Sequence, residues 1–115
     1  MMEESILATI KEMIGPSVDY SAFDTDLIVN INTAFTVLNQ LGVGPVSGFK
    51  ITGEDEQWSD FLGEDVLNLE AVKTYIYLKV RMAFDPPSTG AMVEAYKEMI
   101  KEYEWRLNVQ VDTQY

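Results

Sequence analysis

The stretch Asn68–Phe84, NLEAVKTYIYLKVRMAF, runs directly into Asp85-Pro86-Pro87, and this junction constrains the fold more than any other feature. Leu69, Val72, Ile76, Val80 and Ala83 follow helical spacing on one face, and Tyr75, Leu78 and Met82 add a second. Along the rest of its length Lys73, Thr74, Lys79 and Arg81 clearly call for water or a charged partner. A helix that is apolar over most of its girth is a central helix, or one shared between a core and an interface. The two prolines end it, because neither ring nitrogen donates and the residue before a proline is pushed out of the α region. The sequence therefore predicts a central helix followed by a hard corner.

The rest of the chain supplies helices to surround it. The first runs from about Glu3 to Ile14, with Ile6, Leu7, Ile10, Met13 and Ile14 as its apolar stripe and Gly15-Pro16 as its stop. Asp24 suits an N-cap, with Phe23 and Ile28 spaced for a hydrophobic staple. The second helix then spans about Thr25 to Leu41, packed through Leu27, Ile28, Ile31, Ala34, Phe35, Leu38 and Leu41, and Gly42 stops it. After the Pro-Pro corner, Ser88 or Thr89 can cap a last helix running to about Leu107. Met92, Val93, Tyr96, Met99, Ile100, Tyr103 and Leu107 form its stripe, and Glu98–Lys101 and Glu102–Arg106 can pair on its wet side. The short link makes the last two helices an antiparallel hairpin. The expected fold is all-α: a compact bundle of four main helices in residues 1–107 and an extended tail over 108–115. Val109 and Val111 alternate with polar residues in that tail, as in a strand that could join another protein's sheet edge. Trp105 lies off the main stripe, either at the edge of the core or as an anchor for a partner.

A long connection, residues 43–67, separates the second helix from the central one. Trp58, Phe61 and Leu62 suggest one helical turn pinned to the core. Glu54, Asp55, Glu56, Asp60, Glu64 and Asp65 make it the most acidic region, read as a solvated loop or an acidic channel lining. The alternating Asp/Asn, central Gly and closing Glu of an EF-hand are missing, so these acids do not read as a metal site. The second helix has a polar face without charge: Asn30, Asn32, Thr33, Thr36, Asn39 and Gln40. Amides and hydroxyls lose water cheaply if each finds a partner. That face is either a chance of composition or a subunit–subunit surface.

Composition excludes several functions. There is no cysteine and no histidine, so disulfide staples, thiolate metal sites, the usual general base and the commonest zinc ligand are all missing. No serine sits in a nucleophile motif, and Gly42-Val43-Gly44-Pro45 lacks the further Gly and the Lys of a phosphate loop. The chain reads as a non-enzyme without cofactors. Glu3 and Glu4 stand where a signal peptide carries positive charge, and no apolar run spans a membrane, so a soluble protein, intracellular when made, is expected. The net charge of −11 is uneven: residues 1–66 hold twelve acids against Lys11 and Lys50, and residues 67–115 hold seven acids against six bases. Binding to a phosphate backbone needs clustered Lys and Arg. An acidic body suits a surface that DNA passes without adhering.

Five segments together resemble a known family: Tyr20-Ser21-Ala22-Phe23-Asp24-Thr25-Asp26, Leu38-Asn39-Gln40-Leu41-Gly42-Val43-Gly44-Pro45, Gln57-Trp58-Ser59-Asp60-Phe61-Leu62-Gly63, Val72 through Pro87, and Glu104-Trp105-Arg106-Leu107-Asn108. In order and wording they resemble the small all-helical head–tail connector (adaptor, or head completion) proteins of long-tailed phages and prophages. The resemblance implies a virion protein, made in the host cytoplasm, that assembles as a twelve-fold ring under the portal. Such a ring extends the DNA channel and gives the stopper or tail protein a docking surface. It also implies that the segment beyond the last helix engages the portal. By position that is Arg106, Leu107, Asn108, Val109, Gln110, Val111, Asp112, Thr113, Gln114 and Tyr115. Ring contacts are then expected from the neutral face (Asn30, Thr33, Thr36, Asn39, Gln40) and from Lys73, Lys79 and Arg81, the natural partners of a neighbour's carboxylates. The alternative is a small acidic phage protein that mimics DNA and binds a basic host protein, which would need neither the neutral face nor the tail.

Overall fold

Five α-helices make up the described part of this computed structural model, which covers residues 5–15, 21–63 and 68–113. They are α1 (Ile6–Ile14), α2 (Asp24–Gln40), the short α3 (Trp58–Leu62), α4 (Leu69–Phe84) and α5 (Gly90–Thr113). The only β-type pairing among the described residues is an isolated antiparallel bridge between Ser5 and Gln57. The all-α bundle of four main helices matches the expectation from the sequence.

Helix α4 is the centre. It packs against α1, α2 and α5, and Val72, Tyr75, Ile76, Leu78 and Val80 are buried on it. These residues span a little over half of its circumference, as its apolar girth requires. At its end, Asp85 leaves helical geometry at φ −145° and ψ 70° while its N–H still donates to Arg81 O at 2.8 Å. Thr89 then opens α5: its hydroxyl accepts from Met92 N (3.2 Å) and its carbonyl from Val93 N (3.1 Å).

The start of α2 differs from the expected cap. A 3₁₀ turn, Ser21–Phe23, precedes it, and the capping position, Phe23, has α-type backbone with no side-chain cap. The Asp24 carboxylate is taken by Lys11 Nζ of α1 at 2.8 Å, in a partly buried pair. Phe23 meets Phe84 edge to face at 5.4 Å, tying the entrance of α2 to the corner after α4. Ser5, like Thr89, is a side-chain cap of this type: its Oγ accepts from Ala8 N at 3.2 Å.

The acidic connection folds back onto the core. Trp58 is buried on α3 and donates its indole N–H to Thr9 Oγ1 at 3.0 Å. Phe35, Phe49 and Phe61 form a ring cluster with centroids 4.6–5.3 Å apart.

The extended tail is corrected. Residues 108–113 continue α5 as helix. After Gly90 the sequence has no glycine or proline, and an existing helix gains one hydrogen bond for each residue added. The valines at 109 and 111 cost only tenths of a kcal/mol there. Leu107 is buried, and Asn108 Nδ2 donates to Leu41 O at 3.3 Å, which docks the segment on the end of α2. Gln114 and Tyr115 lie outside the described residues.

Candidate functional site

The uncharged face of α2 divides into two flanks. On one, the Asn32 side chain exchanges two hydrogen bonds with the Ile51 backbone: Nδ2 donates to Ile51 O (3.0 Å) and Oδ1 accepts from Ile51 N (2.7 Å). Asn39 Nδ2 lies on the same flank and donates to the carbonyls of Pro45 (3.2 Å) and Val46 (3.3 Å). These amides take the place of a missing strand partner and hold the loop along the helix. On the other flank, Asn30 is half-buried and Thr33 exposed, its hydroxyl donating back to Val29 O at 3.0 Å. Thr36 and Gln40, between the two flanks, are exposed, with Thr36 Oγ1 donating to Asn32 O at 3.1 Å. Sequence pattern does not reveal the structural job of Asn32. Its one signal is the isolated hydrogen-bond demand of residues 43–56, which form no helix or strand of their own.

The three bases of α4 sit in different surroundings. Lys73 lies 3.7 Å from Glu70 and 5.8 Å over the Trp58 ring, so its own chain already engages it. Arg81 serves the corner: Nη1 donates to Tyr77 Oη at 2.8 Å, Nε donates to Asp85 O at 3.2 Å, and the guanidinium lies 5.7 Å from the Tyr96 ring centre. Lys79 makes no hydrogen bond or ion pair among the described residues. With Asn30, Thr33, Met82, Ala83 and Ile100 it lines an open groove of about 300 Å³ between α2, α4 and α5.

Among the described residues the acids of the connection do not converge. Glu54 and Asp55 are exposed. Glu56 turns inward and accepts from Thr52 N (3.0 Å), Thr52 Oγ1 (2.8 Å) and Gly53 N (3.4 Å). Slight desolvation pushes its carboxyl up, but the hydrogen bonds from Thr52 and Gly53 outweigh this and hold it below the usual carboxylate range. Asp60 Oδ2 accepts from Gln57 N at 2.8 Å as half of a capping box that starts α3. Glu64 and Asp65 lie outside the described residues. No group of three or more Asp, Glu, His or Cys side chains able to hold a metal occurs among the described residues.

Helix α5 presents a largely unpartnered side. Trp105 is 67% exposed, and Met92 (46%) and Met99 (39%) are also open. Trp105 is two residues from the buried Leu107, so the two point to opposite sides of the helix. Of the two positions the sequence allows it, Trp105 takes the one outside the core. With Glu98, Met99, Lys101 and Glu102 it borders a shallow hollow of about 420 Å³. The predicted pairs are present on this side, Glu98–Lys101 at 4.0 Å and Glu102–Arg106 at 2.9 Å. Within the proposed portal segment, Arg106 is exposed and ion-paired, Leu107 is buried, and Asn108 and Val109 are half-buried. No helix among the described residues is long and apolar enough to cross a membrane.

The motif Leu38–Pro45 has a structural explanation. Val43 N closes back on Leu38 O at 2.9 Å, and Gly44 takes φ +89°, in van der Waals reach of the Phe61 ring. The motif thus shapes the loop that crosses α2, and it contains no chemistry. No curated protein and no solved structure matches the chain. The family described as phage connector protein does match it, over residues 6–114, and on a match that spans all five helices this chain belongs to the phage connector family, a structural component of the virion's head–tail connector.

Proposed function

We propose that the protein is an adaptor that forms a twelve-fold ring under the portal, extends the DNA channel and offers the docking surface for a stopper or tail protein. Membership of the connector family over nearly the whole chain carries this reading. Two physical features support it. A small domain that leaves Trp105, Met92 and Met99 open along one helix has surface suited to a partner. A net charge of −11 keeps passing DNA from adhering.

In this reading residues 106–115, the last turns of α5 together with Gln114 and Tyr115, engage the portal. The described part of this segment acts there as a helix end, not as an added strand. The α2 polar residues that do not hold the loop (Asn30, Thr33, Thr36, Gln40) and Lys79 belong to the subunit contact. Asn39, Lys73 and Arg81 shape that surface from within their own chain. Twelve copies gather about −130 charges, screened over about 10 Å at ordinary salt. The free protein is therefore a monomer or weakly associated, and the portal templates the ring. Electron microscopy of the protein on purified portal tests this: a ring of density coaxial with the portal is expected, and a bare portal at saturating protein would overturn it.

A further inference from the structure

Asn30 and Asn32 are two positions apart on α2 and so face opposite flanks. The Asn32 flank carries the loop, through its paired hydrogen bonds with Ile51. The Asn30 flank forms one wall of the groove completed by Thr33, Lys79, Met82, Ala83 and Ile100. Lys79 is the only cation in that lining, and it has no hydrogen bond or ion pair among the described residues. Around it the floor is apolar and the α2 wall neutral, so little competes with an incoming carboxylate.

The loop offers the complement. The Glu56 carboxylate closes the turn on Thr52 and Gly53, and the turn in consequence projects Glu54 and Asp55 outward. Both are exposed, and neither has a partner among the described residues. The loop that bears this turn docks on the Asn32 flank through Ile51, and none of its residues lines the groove. Within one chain Lys79 pairs with neither Glu54 nor Asp55, and a second copy offers each its complement.

We propose that the Lys79 groove receives the Glu54–Asp55 turn of a second copy of this chain. This deepens the ring reading and rests on it. The contact is heterologous, with a different patch from each partner, and such contacts close into rings when the rotation allows. It places Glu54 and Asp55 in the subunit contact and not on a channel wall. An exposed ion pair contributes little alone, so the contact forms when the portal holds the copies side by side.

The test uses full-length protein bound to purified portal, prepared from an equal mixture of isotope-labelled and unlabelled copies. A carbodiimide, which joins an amine directly to a carboxylate, is applied and the peptides are sequenced by mass spectrometry. Mixed-label peptides joining Lys79 to Glu54 or Asp55 are expected. They should vanish in Lys79→Gln with the circular-dichroism spectrum unchanged. Lys79→Glu should lose assembly on the portal, and addition of Glu54→Lys and Asp55→Lys in the same chain should restore it. Mixed-label links that join copies elsewhere while Lys79 stays uncoupled would overturn this contact and leave the ring standing. Portal-bound protein with no mixed-label link of any kind would remove the ring and the contact together.

Discussion

Gly44 shows how one residue holds the long loop in place. Its φ of +89° is a conformation that L side chains rarely adopt, and an added Cβ would run into the Phe61 ring. Gly44→Ala should therefore cost about 2 kcal/mol or more, from left-handed backbone strain together with overpacking, measured by urea unfolding. Tyr75 is fully buried on α4, and its hydroxyl donates to Glu104 Oε2 of α5 at 2.8 Å. Burial, and then the Glu104 carboxylate, push the Tyr75 phenol well above its ordinary value of 10.0. A folded-state value raised above the unfolded one stabilises fully below the unfolded pKa, so this contribution is lost as pH rises beyond about 10. Tyr75→Phe should cost about 1 kcal/mol at neutral pH and remove part of the alkaline loss of stability seen in unfolding at graded pH. Glu56 has the opposite sign. Its lowered value stabilises above the ordinary 4.5 and is lost as pH falls below it, so Glu56→Gln should flatten the acid limb of the same titration. None of these roles could be read from spacing: each depends on a particular contact, Gly44 with Phe61, Tyr75 with Glu104 and Glu56 with Thr52, and periodicity within a segment does not encode that.

At the scale of elements, α4 and α5 do most to set the shape and the surfaces. The girth of α4 was legible because an apolar pattern wider than one stripe demands burial on several sides, and the Pro-Pro corner because proline chemistry is local. Ile76, fully buried at its centre, marks the core: Ile76→Asp should abolish cooperative unfolding, at a cost of about 4 kcal/mol or more. The end of α5 was not legible. Alternating valines read as a strand, but no breaker separates them from a helix already docked through Leu107 and Asn108. This changes where a truncation should fall. Removal of residues 110–115 keeps both docking residues, so the melting temperature should hardly move while portal binding is lost. Retained binding by that truncated chain would remove the tail from the interface. Trp105→Ala should likewise leave stability within about 0.5 kcal/mol. If Trp105 anchors a partner, it should weaken partner binding by about 2 kcal/mol or more, about 30-fold in Kd, read by titration against portal and tail protein separately.

Across the whole molecule, the charge and the surfaces point the same way. The chain has a net charge of −11, an apolar side left open on α5, and a neutral flank whose lysine has no ion pair among the described residues. The unequal charge of the two halves was plain in the sequence. So were the neutral residues of α2, but not their division into a flank that holds the chain's own loop and a flank left free. That division is set by where residues 43–57 pass, which is a tertiary outcome. In the proposed reading assembly depends on a template: like charges oppose free association, and a portal binding each copy through α5 would bring complementary patches together. Native mass spectrometry tests this most directly, on the protein alone and with purified portal at moderate salt. A templated ring predicts a free species at the monomer mass of 13.0 kDa and a single portal complex heavier by twelve such masses. A stable ring of the protein alone, or a portal whose mass does not change, would contradict it.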